Sequence, residues 1–330
     1  MVEGPRFSLI VDLFRSRHIR IPTQLVETIH ELGIFEYDQL AKHYGSQAAS
    51  LTAFVGFLEH NDYGFWTREP ERFPPIDDRW DPKGHLSNVV IDLAEDTQSA
   101  TLSLVFSILD ELLCRAALLR VRGSVDARCL RRIQEATVQS YTSHIEVECE
   151  DVVLDGEFVV ALDMNPRLRS IRHNRRVGLS MNDQRIQQRA TYTISETGMI
   201  YNAEFFLESG SYNTFLNRKA YIDIDGNFSN IPNGENFGNL YRMDSATLKT
   251  VTQNAAFRKY WSIATSKISK CRSCEYRRSC YNPQVPITDG LGEWHYAELC
   301  DYDPHTGVWR SSTAEQSREI FNPVDRTNQR

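Results

Sequence analysis

Apolar and polar positions alternate along this chain in two rhythms, and the changes of rhythm divide it into three stretches. In residues 1–75, Leu9 to Leu13 and His18 to Ile21 are short apolar runs that predict strands. Pro22 opens a helix whose Leu25, Val26, Ile29 and Leu32 share one face, and Gly33 stops it. A second helix is expected from Glu36 to Tyr44, ahead of Gly45. A third is capped by Ser50 and carries Leu51, Phe54, Val55 and Leu58 at helical spacing. Tyr63-Gly-Phe-Trp66 reads as a short strand. Three short helices beside short strands suggest a winged-helix-like unit over residues 1–75, with a helical capping domain as the alternative reading.

Pro70, Pro74, Pro75 and Pro82 mark a linker into a second stretch, residues 76–190. There the apolar strand Leu86 to Leu93 precedes an amphipathic helix, Leu102 to Leu113. Ala117 to Val121 and Ile145 to Val147 are strands flanking a helix from Ala127 to Val138, and Phe158 to Leu162 with a strand near Ile171 begins another unit. Strands alternating with helices of this length predict βαβ units and a parallel sheet. Too few units fit before residue 190 for an eight-unit barrel, so the expectation is a partial barrel or an open α/β sheet.

From residue 191 the texture changes to strands and turns, as in TYTISETGMIYNAEFFL. Asp225-Gly226 is a hairpin signal, with Asp223 and Asp225 serving its turn. A helix is expected from Ser245 to Trp261, and the tail after Trp309 reads as polar and frayed.

The composition is that of a globular protein, with 41% hydrophobic and 25% charged residues among 330. No apolar run reaches the length of a membrane span, and the N-terminus lacks the pattern of a secretory signal, so a cytoplasmic protein without a membrane partner is expected. A net charge of -7 argues against nucleic acid as a partner, because no basic excess is present to displace counterions. The arginines between residues 165 and 189 (Arg167, Arg169, Arg172, Arg175, Arg176, Arg185 and Arg189) read as a solvated barrel edge, with His173 exposed among them. Glu146, Glu148 and Glu150 share one strand face and read as an exposed sheet edge.

The candidate chemistry lies in the cysteines. Cys114, Cys129 and Cys149 are scattered, as small core hydrophobes are, whereas Cys271, Cys274, Cys280 and Cys300 form C-x2-C-x5-C-x19-C. A C-x2-C turn lets two thiolates face one ion or cluster edge, and two more complete a four-coordinate site. Lys267, Lys270, Arg272, Arg277 and Arg278 surround them and offset the charge of such a centre. Iron–sulfur and zinc both remain open at this point.

The ending Cys300-Asp-Tyr-Asp-Pro, together with CRSCEYRRSC, resembles the SPASM domain that follows the radical S-adenosylmethionine (SAM) barrel in peptide-maturing enzymes. The stretches IVDLFRSRHIRIP, FPPIDDRWDPKGHLSNVVID, LNRKAYIDIDGNFSNIPN, FGNL and CDYDPHTGVW extend the likeness to the SPASM-domain peptide maturases of grasp-with-spasm systems. The resemblance implies maturation of a ribosomally made precursor peptide encoded beside an ATP-grasp ligase. It implies that a site within residues 1–75 grips the leader peptide by strand addition, that residues 76–190 are a degenerate radical-SAM-like domain, and that residues 191–330 are a SPASM-like metal domain. By position, Cys271, Cys274, Cys280 and Cys300 match the ligands of the second auxiliary 4Fe–4S cluster. The chain departs from the family where LSNVVIDL is followed by AEDTQSATLSL, without the C-x3-C-x2-C that binds the SAM-cleaving cluster, and Phe215 and Ile231 stand where further cysteines are expected. The expectation is a pseudo-radical-SAM protein with no catalytic residue of its own and no bound SAM. Two alternatives are an independent redox enzyme using the remaining cluster and a zinc-stabilised interaction module.

Overall fold

A computed structural model describes residues 1–33, 36–174, 183–189, 194–195, 198–298 and 300–310. It is a mixed α/β structure in which contacts group the chain into two compact units. One unit comprises the described parts of Met1–Trp80, Thr193–Thr214 and Ile263–Arg330; the other comprises those of Asp81–Tyr192 and Phe215–Ser262.

The chain opens with strands β1 (Val2–Glu3), β2 (Phe7–Asp12) and β3 (Arg17–Pro22), an antiparallel sheet in that order. Helices α1 (Leu25–Leu32), α2 (Tyr37–Tyr44) and α3 (Ala48–His60) follow. Both faces of this small sheet are covered, which explains why FSLIVD is nearly continuous in apolar residues. On one face Ile10 and Ile21 pack with Val26, Ile29 and Phe54 of the helices. On the other, Leu9 and Val11 pack with Tyr276, Tyr302 and Trp309 of the cysteine segment. Tyr63-Gly-Phe-Trp66, expected as a strand, is irregular: Phe65 and Trp66 stay exposed, and their rings meet Phe73 and Tyr37 edge-on instead of joining a ladder.

The second unit contains β4 (Asn88–Ala94), α4 (Ser99–Glu111), β5 (Ala116–Arg122), β6 (Ser124–Val125), α5 (Ala127–Thr137), β7 (His144–Cys149), β8 (Asp151–Val152), α6 (Gly156–Asp163), β9 (Leu168–His173) and β10 (Ile186–Gln188). Asp126 and Asp155 cap α5 and α6, accepting from the N–H groups of Cys129 at 2.8 Å and Phe158 at 2.7 Å. After α7 (Ala203–Ser211), strands β11 (Lys219–Ile222) and β12 (Phe228–Ser229) join this sheet, and α8 (Ser245–Val251) follows. The order is β10-β9-β7-β5-β4-β11-β12, parallel except for the β11–β12 hairpin, and no barrel closure is present among the described residues. Gly226 makes the hairpin turn at φ +81, while the Asp223 carboxylate accepts from the N–H groups of Asp225 and Asn227. One sheet face packs Ile91, Leu119, Val147 and Ile171 against Phe106, Leu109, Ile133 and Phe158 of α4 to α6.

Two further elements differ from the sequence expectation. The stretch containing Phe205 and Phe206 is helix α7, not strand, because the Asn202 side chain caps it through the Phe205 N–H at 2.8 Å. The helix expected to reach Trp261 ends at Val251. The Thr252 carbonyl accepts from Arg258 Nε at 2.6 Å, and the Asn254 side chain caps a turn at the Ala256 N–H. Short pairs β13 (Ile287–Thr288) with β14 (Trp294–His295) and β15 (Tyr302–Asp303) with β16 (Val308–Trp309) follow the cysteine segment. The tail after Arg310 lies outside the described residues. Among the described residues, no helix is long and apolar enough to cross a membrane.

Candidate metal centre

Cys271, Cys274, Cys280 and Cys300 line one cavity of about 30 Å³. Tight turns deliver the first three: the Cys274 N–H bonds the Cys271 carbonyl at 3.0 Å, and the Cys280 N–H bonds the Tyr276 carbonyl at 2.8 Å. The fourth arrives at the foot of the β15–β16 hairpin. Ile194, Met199, Tyr276, Tyr302 and Trp309 make the walls apolar, and Lys270 and Arg277 also line the cavity.

Burial pushes the Cys271 thiol up to about 12, and neighbouring Cys300 adds to the rise while Lys270 opposes it. Cys274 and Cys280 are raised as well, first by burial and then by nearby groups that include the other cysteines. Buried in this apolar chamber, the thiols of Cys271, Cys274 and Cys280 therefore hold their protons until a cation replaces them. Two backbone N–H groups donate to sulfurs of the cavity. The Tyr302 N–H reaches Cys300 Sγ at 3.4 Å, and the Tyr276 N–H bonds the Cys274 sulfur. Each donor lies two residues beyond its cysteine, and each favours a charged sulfur. Among the described residues no three His, Cys, Asp or Glu side chains are arranged as the ligands of a metal ion. The donor chemistry of the cavity nevertheless suits a thiolate-bound centre: four sulfurs, two N–H···S donors, apolar walls and two cationic side chains.

A buried polar chain connects this chamber to the first sheet. Arg20, 5% exposed, donates to the Gly307 carbonyl at 3.1 Å and to the Tyr302 hydroxyl at 3.4 Å. The Tyr302 hydroxyl donates to the Glu275 carboxylate, whose pKa is raised by burial. His18 stacks on Tyr201 with centroids 4.2 Å apart and meets Tyr276 edge-on at 6.3 Å. Burial, then Arg20, lowers its pKa to about 4. The unfolded chain binds a proton at His18 below its ordinary pKa of about 6.5, and the folded chain does so only near 4. Stability from this site is thus present at pH 7 and is lost as pH falls from 6.5 towards 4. The urea midpoint of the native protein is expected to drop between pH 7 and pH 5. The drop should be smaller in His18→Phe; equal drops in both proteins would contradict the assignment.

The other sequence candidates fall in the second unit. Glu146 and Glu148 do share a face, but β7 is an interior strand, not an edge: Arg172 of β9 bonds Glu146 at 2.6 Å and lies 3.3 Å from Glu148, and Arg189 lies 3.6 Å from Glu148. The same face carries Asp92, which sequence reasoning missed. Arg120 Nε bonds it at 2.6 Å and the Tyr221 hydroxyl at 2.7 Å. A lone acid inside the apolar strand VVIDL was its only signal. Charges thus alternate across β4, β5, β7 and β9 and satisfy one another. His173, expected to be exposed, is buried. Arg167 donates to the Val138 and Thr142 carbonyls beyond α5, and Arg185 pairs with Asp183 and Asp163, so these arginines serve the fold. Arg175 and Arg176 lie outside the described residues. Compared with protein-family models, curated proteins and solved structures, the chain finds no match.

Proposed function

We propose that this chain is an auxiliary maturase of a ribosomally synthesised peptide, which binds the precursor and assists a partner ATP-grasp ligase. In this reading residues 1–75 are a winged-helix-like recognition element, residues 76–190 a degenerate radical-SAM-like sheet, and residues 191–330 a SPASM-like segment. Cys271, Cys274, Cys280 and Cys300 hold one 4Fe–4S cluster, with zinc as the alternative. The observation that carries the reading is the gathering of these four cysteines, and no others, around one cavity. A cluster bound by four thiolates supplies single electrons or structural rigidity and offers no vacant iron to a substrate. The chain's own part is to hold that centre dry with Tyr276, Tyr302 and Trp309 and to present an edge strand, β3, to an extended peptide.

The test uses the full chain, purified without oxygen, and the leader of the precursor encoded beside it. Iron and sulfide with a visible charge-transfer band support the cluster, whereas stoichiometric zinc in a colourless protein selects the interaction module. The leader is expected to bind with a dissociation constant on the order of 1 µM, because main-chain pairing is offset by ordering a flexible peptide. N-methylation at alternate leader residues removes the pairing N–H groups and should abolish binding on one register only. Equal affinity for both methylated registers and the parent leader would exclude strand addition.

A further inference from the structure

Beside the cysteine chamber lies a second, polar pocket of about 230 Å³, lined by Ser269, Lys270, Ser273, Asp303, His305 and Arg310. We propose that this pocket binds a small oxyanion of the phosphate or carboxylate class. The donors outnumber the acceptors: an ammonium, a guanidinium and two hydroxyls surround a single carboxylate. That carboxylate is committed to its own hairpin, where Asp303 Oδ1 accepts from the His305 N–H at 3.0 Å between β15 and β16. Its single negative charge is outweighed by the ammonium and the guanidinium together. Among the described residues neither Lys270 nor Arg310 pairs with a carboxylate, whereas nearby Arg272 reaches Glu293 at 3.5 Å.

Lys270 is also fixed in place. Its ammonium donates to the Cys300 carbonyl, which stations a cation between the polar pocket and the cysteine chamber, and its side chain lines both. Ser269 and Ser273 flank it one and three residues away, Ser273 Oγ donating to the Lys270 carbonyl at 3.4 Å, so the ammonium and two hydroxyls come from one short segment and the guanidinium comes from beyond β16. A cation orienting a planar or tetrahedral oxyanion from two directions is the arrangement that charge-assisted hydrogen bonds favour. The room available is several times the 30 Å³ share of one water, enough for an oxyanion with part of its hydration. The inference needs neither a metal nor a precursor peptide.

The experiment titrates inorganic phosphate into the full chain at constant ionic strength and follows heat and the phosphorus resonance. Saturable one-to-one binding is expected. Arg310→Gln and Lys270→Gln should each weaken it roughly tenfold, the usual effect of losing a hydrogen bond to a charged group. Asp303→Asn keeps an oxygen for the turn and removes the opposing charge, so it should tighten binding. A second arm uses an N-acetylated dipeptide with a free or amidated C-terminus. Preferential binding of the free acid, displaced by phosphate, supports the pocket and assigns it to carboxylates. Arg310 is exposed, so its variant should melt as the parent does. Unsaturable binding, or the same affinity in Arg310→Gln as in the parent, would overturn the proposal.

Discussion

Cys274→Ala is expected to abolish metal binding at the proposed centre and also to loosen β1, β2 and β3, more than 250 residues away in sequence. Three ligands leave an incomplete shell, and the free energy that a thiolate site contributes to folding, on the order of 10 kcal/mol for structural centres, falls by several kcal/mol. The loss reaches the first sheet because Cys274, Cys280 and Cys300 pack in the same apolar cluster as Val2, Leu9, Tyr276, Tyr302 and Trp309. Arg20 and the Glu3 carbonyl, which accepts from Arg277, add polar ties to the same segment. Elemental analysis and amide exchange check both halves: metal near zero, and protection of Leu9 to Val11 reduced while that of Val147 in β7 is retained. Cys114→Ala should keep its metal, since Cys114 is buried in the core of the other unit. Full occupancy in the Cys274 variant would remove the site, and unchanged exchange in β2 would remove the coupling.

No 5′-deoxyadenosine will accumulate when the reconstituted protein is incubated with SAM and a strong reductant. Reductive cleavage requires direct contact between SAM and an iron that no protein thiolate occupies. The turn between β4 and α4 presents Glu95, Asp96, Thr97 and Gln98, none of which is a soft ligand. The next thiol, Cys114, is buried and pushed up to about 12, and burial likewise raises Cys129 and Cys149. Near the C-terminal end of β4, beside that turn, Asp92 is already engaged by Arg120 and Tyr221. Product above the level of Cys274→Ala, with or without precursor peptide, would show that the chain does cleave SAM.

The parts of the fold that could be read from the sequence were those set by local pattern. Strands β4, β5, β7 and β9 and the helices between them follow from apolar period and from Asp126 and Asp155 at the caps. Helix α7 escaped because Phe205 and Phe206 favour strands while the deciding residue, Asn202, is a single cap. The row of Asp92, Arg120, Glu148 and Arg172 was hidden because its order depends on strand pairing, so Glu146 and Glu148 looked like an edge. At the cysteine cavity, spacing brought Cys271, Cys274 and Cys280 together, and Cys300 followed from the motif. The walls were not legible. Arg20 and Tyr302 are separated by 282 positions, and nothing local to either residue indicates the other.

The discontinuity of the two units sets an order on the ribosome. Strands β1 to β3 leave the ribosome well before the residues that cover one of their faces, Tyr276, Tyr302 and Trp309. At usual elongation rates that delay is on the order of tens of seconds. The segment forming the seven-stranded sheet is complete by Ser262, so it can fold in the interval. Meanwhile Leu9 and Val11 wait uncovered, a period in which a chaperone, or a ligand of the nascent sheet, has its best access. Assembly of the cysteine chamber must wait for these late residues, and a chain truncated before Trp309 is left with an apolar face of β2 less fully covered.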